Sequence, residues 1–219
     1  MMRLIIAATA LCLAPPLFAQ AKDRPPGALS YARNMTHDRG ESWTYRKPGL
    51  KLDGYDSIIV ENGSVYTGPD AQFEDVSRAD RPRYAAIMTD AVRSELRKSF
   101  SVMTASAPKT LRLKLVLVGV DGTKGGVATA TRVMPIGFAL SAVKSVAGKP
   151  GSLTGSVLYA IELADSQTGE LMVAAVRRNA PDALDIPATL STADTVKAVA
   201  QDVAKQLREK LEHATRRPG

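Results

Sequence analysis

Eight residues in the middle of the chain limit its fold more than any other stretch. Leu111, Leu113, Leu115 and Leu117 alternate with Arg112, Lys114, Val116 and Val118. A period of two places one set on each face of a β-strand, so the four leucines share one apolar face. The opposite face turns from charged to apolar along its length. Its far end is therefore expected to be covered as well.

Two helical stripes supply a cover. Tyr84, Met88, Val92, Leu96 and Phe100 recur every four residues with Ile87 and Ala91 beside them, which is a buried helical stripe. Arg93, Glu95, Arg97 and Lys98 fall on the wet side, Asp80 is placed to cap the helix, and Pro82 suits its first turn. Near the C-terminus, Val196, Val199, Val203, Leu207 and Leu211 make a second stripe. Ser191 or Thr192 caps it, and Asp194 falls in the first turn where negative charge is favourable.

Further strands flank these elements. Ser57, Ile58, Ile59 and Val60 form a short β-type run, interrupted at Asn62-Gly63 and resumed at Ser64-Val65-Tyr66. Residues 101–104 read as an edge strand. Residues 119–131 contain four glycines and read as a loop or a frayed continuation. Val157, Tyr159, Ile161 and Leu163 share a strand face, and residues 171–178 form the return strand. The turn between them runs from Asp165 to Glu170, with Gly169 suited to a positive φ. The order β-α-β-β-(apolar connector)-β-β-α predicts an α+β fold, an α/β sandwich. Its sheet is mostly antiparallel with four to five strands, and two main helices pack on one face.

The N-terminus states where such a domain works. Met1, Met2 and Arg3 precede an apolar run, and Ala19-Gln20-Ala21 offers a signal-peptidase site that leaves Lys22 as the new N-terminus. The run is too short for a span of about 20 residues, and Pro15-Pro16 breaks it. Residues 1–21 are thus read as a signal peptide, 22–42 as a flexible leader rich in Pro, Gly, Arg and Asp, 43–213 as one domain and 214–219 as a disordered tail. Location is periplasmic, with peripheral attachment at the outer membrane as the variant. The single cysteine, Cys12, lies inside the signal, so the exported chain has no thiol for a disulfide, metal site or nucleophile. Leu11 stands where a lipoprotein box needs a small residue, which argues against a lipidated Cys12.

Composition excludes several functions. Of the 219 residues 45% are apolar, enough for a core, and only 5% are aromatic, too few for stacked base or sugar platforms. The formal charge of +7 falls by one when Arg3 departs, and the basic residues are dispersed among acids. That pattern suits a solubilising surface or anionic lipid or polymer, and export removes nucleic acid as a partner. The two histidines, His37 and His213, lie in the leader and near the end. Neither serves a Ser-His-Asp triad, and two cannot make a histidine-rich zinc site. Asp90 and Glu95 are five positions apart and do not face each other. Glu162, Asp165 and Glu170 gather at the hairpin, where Glu162 and Glu170 approach if it closes, as a weak cation site or as ordinary turn chemistry. The glycines from Gly119 to Gly126 lack the Gly-Lys-Ser/Thr of a phosphate loop. No catalytic, cofactor-binding or metal residue is assigned.

Residues 133–148 are apolar with small residues throughout. One reading is a connector helix packed on the sheet. The other is a contact for a membrane or partner through Met134, Ile136, Phe138 and Leu140, with Lys144 meeting anionic headgroups.

Several pieces in order resemble a known family. These are Tyr45 followed by Lys47-Pro48-Gly49, then Tyr55-Asp56 leading into a hydrophobic strand, then Thr110-Leu111-Arg112-Leu113. Last comes Glu162 with Asp165-Ser166-Gln167-Thr168-Gly169-Glu170. Together they resemble the domain of unknown function 3313 over about residues 43–211. That resemblance implies a Gram-negative envelope protein without an established activity. Many members are lipoproteins, and their shape is similar to small α/β modules of periplasmic accessory proteins such as the N-terminal domain of the Tol-system translocation protein. The expected function is a non-enzymatic binding or adaptor module with an envelope protein, anionic lipid or polymer as partner. The alternatives are a lipid carrier with its pocket between sheet and helices, and a carboxylate-dependent hydrolase. Oligomeric state is left open.

Overall fold

The leucine alternation becomes the spine of the molecule. The computed structural model describes residues 25–27, 29, 31–38, 42–122, 155–181 and 191–216. In chain order the strands are β1 (Thr36–His37), β2 (Ser42–Arg46), β3 (Ser57–Val60), β4 (Ser64–Val65) and β5 (Gln72–Glu74). They continue as β6 (Ser101–Val102), β7 (Thr110–Asp121), β8 (Ser156–Asp165) and β9 (Leu171–Asn179). Helix α1 is Asp80–Leu96 and helix α2 is Thr192–Thr215.

The fold is α+β, as expected, but the sheet is wider than expected. It has nine strands in the order β1-β2-β9-β8-β7-β3-β6, with β4 and β5 also pairing β7. Most paired residues are antiparallel, through β1–β2, β2–β9, β9–β8 and β8–β7. β3, β4 and β5 instead follow one another along the free edge of β7, all parallel to it. They occupy one lane of the sheet, broken at Asn62-Gly63 as the sequence indicates.

The extra width comes from β1, inside the segment expected to be a leader (22–42), and β2, at the start of the expected domain. Ser42, Thr44 and Arg46 alternate with Trp43 and Tyr45, a period-two pattern that pairs with β9 from Ser42↔Arg177 to Arg46↔Val173. The segment before it also packs. A 3-10 turn at Ala32–Asn34 sets Tyr31 and Met35 at 5% and 7% exposure against the sheet. Asp70 ties this segment down, accepting from the Gly27 amide at 3.0 Å and from the Tyr66 hydroxyl at 2.6 Å.

Each face of the sheet has its own core. The leucine face of β7 packs under α1 and α2, with Met88, Val92, Leu96, Val196 and Val199. The other face joins Val116, Val118, Leu158, Ala160, Ala174 and Val176 to Tyr31 and Met35. The late turn to apolar residues along β7 is thus explained by a second cover. β7 runs on to Asp121, so the first of the glycines read as loop, Gly119, is strand.

The helices begin and end for local reasons. Ser191 caps α2, accepting from the Asp194 amide at 3.2 Å. Asp80 does not cap α1; it is the first helical residue, and its amide donates to Ser77 Oγ at 3.2 Å. The helices are clamped at one end. Arg208 donates to Glu95 at 3.0 Å and to Glu212 at 2.7 Å, and the Ser99 hydroxyl donates to Glu212. The end of α2 is tied as well, its Thr215 carbonyl accepting from Gly54. Residues 217–219 of the expected tail and the signal, residues 1–21, lie outside the described residues.

Candidate functional site

The site follows from a mismatch of widths. The sheet has seven lanes, which at about 4.8 Å each span roughly 34 Å. Two helices packed at about 8–10 Å between axes cover roughly 20 Å of that face. They are centred on β7 and β8, so among the described residues no helix lies over the β9 and β2 lanes beside α2. A groove of about 330 Å³ results, with β8, β9 and β2 as floor and α2 as wall.

Strand register lays out the floor in rows. Tyr159, Arg177 and Ser42 stand in one, Ile161, Ala175 and Thr44 in the next, and Leu163, Val173 and Arg46 in the third. The wall presents Val203, Gln206, Leu207 and Lys210. Ile161, Val173, Ala175 and Leu207 are only half-buried. On the other face of β9, Ala174 and Val176 are fully buried. The predicted buried stripe of α2 therefore holds at Val196, Val199, Val203 and Leu211 but fails at Leu207, because among the described residues no third helix lies over the lanes opposite it.

The charged side chains that line the groove are of one sign, while Asp202 stands beside it, accepting from Gln206 at 2.8 Å. Arg46, Arg177 and Lys210 line it, and no Asp or Glu among the described residues does. Burial, and then the positive Arg177, hold the Lys210 ammonium below its ordinary pKa. Burial raises the Tyr159 phenol above its usual range, and its hydroxyl donates to Asn179 at 3.1 Å. These groups can receive an apolar chain and an anion.

The hairpin carboxylates go elsewhere. Glu162 lies on the far face of the sheet, 3.8 Å from Lys114 and against the buried Tyr31 phenol, whose pKa rises through burial first and then this carboxylate. Glu170 pairs with Lys47 at 2.6 Å. Glu162 and Glu170 are thus held by different lysines and do not form the expected pair. Asp165 does ordinary turn chemistry, accepting from the Gln167 and Thr168 amides at 2.9 and 2.8 Å and from the Tyr55 hydroxyl at 2.8 Å. Those bonds, the Thr168 amide first, lower its pKa, and Gly169 sits at φ +71° beside it. Asp90 pairs with Arg93 and Glu95 with Lys98 and Arg208. His37 stands in β1, edge-on to Trp43 at 4.9 Å. Among the described residues no group of three or more His, Cys, Asp or Glu could hold a metal ion. No helix among them is long and apolar enough to cross a membrane.

The expected contact residues Met134, Ile136, Phe138, Leu140 and Lys144 lie outside the described residues. The groove residues were not singled out from the sequence. The available signal was the alternation of residues 42–46, which reveals β2 and with it the width of the floor.

The chain belongs to the family described as "Protein of unknown function (DUF3313)", whose model matches residues 28–207. No curated protein matches the sequence. Among solved structures, the PelC L103M dodecamer from Paraburkholderia phytofirmans is similar at 13% identity and a TM-score of 0.38, covering 80% of this chain and 98% of that one. The PelC dodecamer of the same organism in another crystal form gives 11% identity and a TM-score of 0.37 over the same shares.

Proposed function

We propose that this member of the family is a non-enzymatic binding module of the cell envelope, and that its binding site is the groove between α2 and the β9–β2 floor. The observation that carries the reading is the row of half-buried apolar side chains on the helix-bearing face, beside the fully buried leucines of β7. Leaving Ile161, Val173, Ala175 and Leu207 partly wet forgoes burial energy of about 25 cal/mol per Å². A ligand that covers them recovers it. Export through residues 1–21 places the module in the periplasm, where apolar chains and envelope polymers are the available ligands.

The test is binding of the neutral fluorophore N-phenyl-1-naphthylamine. The parent protein should enhance its emission saturably. Ala175→Trp, which fills the middle of the floor, should abolish the enhancement while circular dichroism and melting stay unchanged. Equal binding by parent and a folded variant refutes the assignment of the groove.

A further inference from the structure

The groove can be read for the chemistry of its ligand, which rests on the binding role just assigned. We propose that it takes a single-chain amphiphile with a carboxylate head, a fatty acid, whose head sits against Arg177 and Lys210 and whose chain lies on the Ala175 row.

Three observations converge on this occupant. The first is charge. Arg177 and Lys210 come from different elements, β9 and α2, and neither has an ion pair or a hydrogen-bonded acid among the described residues. Some basic side chains pair with acids, Lys47 with Glu170, Arg112 with Glu61, Arg178 with Asp121 and Arg208 with Glu95, and exposed ones such as Arg83 and Lys205 do not. What marks Arg177 and Lys210 is their convergence from two elements on one apolar groove. Two cations facing each other repel, and Arg177 is one of the two causes that lower the Lys210 pKa. An anion between them relieves that repulsion, and a carboxylate suits the planar fork of a guanidinium.

The second is volume. The groove measures about 330 Å³, and at roughly 30 Å³ for each water-sized group it takes on the order of ten such groups. That is the scale of one acyl chain of about ten carbons lying along the groove. The third is layout. Arg177 and Arg46 stand four residues apart along the β2 direction, a distance of roughly 13 Å at about 3.3 Å per residue. Between them lie Thr44, Ala175 and Ile161. The chain thus has an apolar bed with a half-buried cation at one end. At the other end Arg46 is exposed, where its methylenes can line the exit while its head stays in water.

The experiment displaces N-phenyl-1-naphthylamine with decanoate, decanol, decyltrimethylammonium and decyl phosphate, each below its micellar concentration. Decanoate should displace the dye at least about tenfold more effectively than decanol, the gain of a charge-assisted hydrogen bond, and the ammonium should be weakest. The double variant Arg177→Gln/Lys210→Gln should lower decanoate to the level of decanol while leaving decanol unchanged. Equal displacement by decanoate and decanol in the parent overturns the anionic head but keeps the groove as an apolar site. Stronger displacement by decyl phosphate than by decanoate overturns the carboxylate assignment. A dye that does not bind, and no displacement by any alkyl compound, overturns the groove itself.

Discussion

Leu207 gives the sharpest test of the open groove, because the sequence and the structure disagree about it. It occupies the third turn of a stripe whose other members are buried, yet it is half-buried beside the β8–β9 floor. Leu96 on α1 is the reference, at 0% exposure and away from the groove. Leu96→Ala removes three fully buried carbons and leaves a closed cavity, which costs about 3–4 kcal/mol. Leu207→Ala loses only part of the transfer energy of the same carbons, at ~0.8 kcal/mol for each when fully buried. The space it leaves opens to water, so no cavity penalty is added and the cost is about 1 kcal/mol.

Urea unfolding followed by circular dichroism measures both, with unchanged m values required before midpoints are compared. In melting temperature the difference is about 2–4 °C for Leu207→Ala against about three times that for Leu96→Ala. A serine adds a second discriminator. Leu207→Ser should cost little more than alanine, since its hydroxyl meets water. In a sealed core the unsatisfied hydroxyl adds about 1–3 kcal/mol. Equal losses for Leu207→Ala and Leu96→Ala, or a large extra cost for the serine, would falsify the open groove.

Three further outcomes follow from the geometry around the sheet. Gly63→Ala should destabilise by about 1–3 kcal/mol in urea unfolding, because a Cβ there meets Thr89 Oγ1 at 2.2 Å and the Ala85 carbonyl at 2.8 Å; an unchanged midpoint would show that α1 does not pack so closely on the strand break. The Asp70 carboxylate is held below its ordinary pKa by the Tyr66 hydroxyl first and the Gly27 amide after it. Its stabilisation is therefore present above the ordinary carboxylate range and lost as pH falls through the depressed value, so at neutral pH trypsin should cut at Arg33 faster in Asp70→Ala protein than in the parent, and identical cleavage rates would remove Asp70 as the tie. Tyr55 is raised to about 12 by burial and then its bond to Asp165; a raised phenol stabilises fully below its unfolded pKa and loses that contribution as pH climbs towards 12. Tyr55→Phe should flatten the alkaline fall in stability, and an undiminished fall would assign it to other groups.

The sequence reading succeeded where one residue pattern reports on one partner surface. Leu111, Leu113, Leu115 and Leu117 need an apolar layer, and α1 and α2 supply it. Asp165 and Gly169 form their turn from contacts within six residues. Ser191 caps α2 through a bond three residues long. β1 is hidden in a segment whose prolines, glycines and charges dominate its composition, and β2 is only five residues long at that segment's end. The pairing of β2 with β9 joins residues more than a hundred positions apart. Local composition carries no record of that contact, although the aromatic–polar alternation of residues 42–46 does.

The same limit explains why the candidate site was not legible. Helical periodicity fixes which side of α2 turns inward, and it names Leu207 correctly as an inward residue. It cannot say how wide the facing sheet is, or whether another helix fills the remaining lanes. Each strand added at the β9 edge widens the floor by about 4.8 Å without changing a residue of α2. Among the described residues, two helices that would cover a sheet of four to five strands leave part of a seven-lane sheet without a helix over it. The groove is therefore a property of the count of strands set against the count of helices. Arg177 and Lys210 acquire a role only once that count is known: on a covered floor they would need acids beside them, and here the open side leaves that place for a ligand.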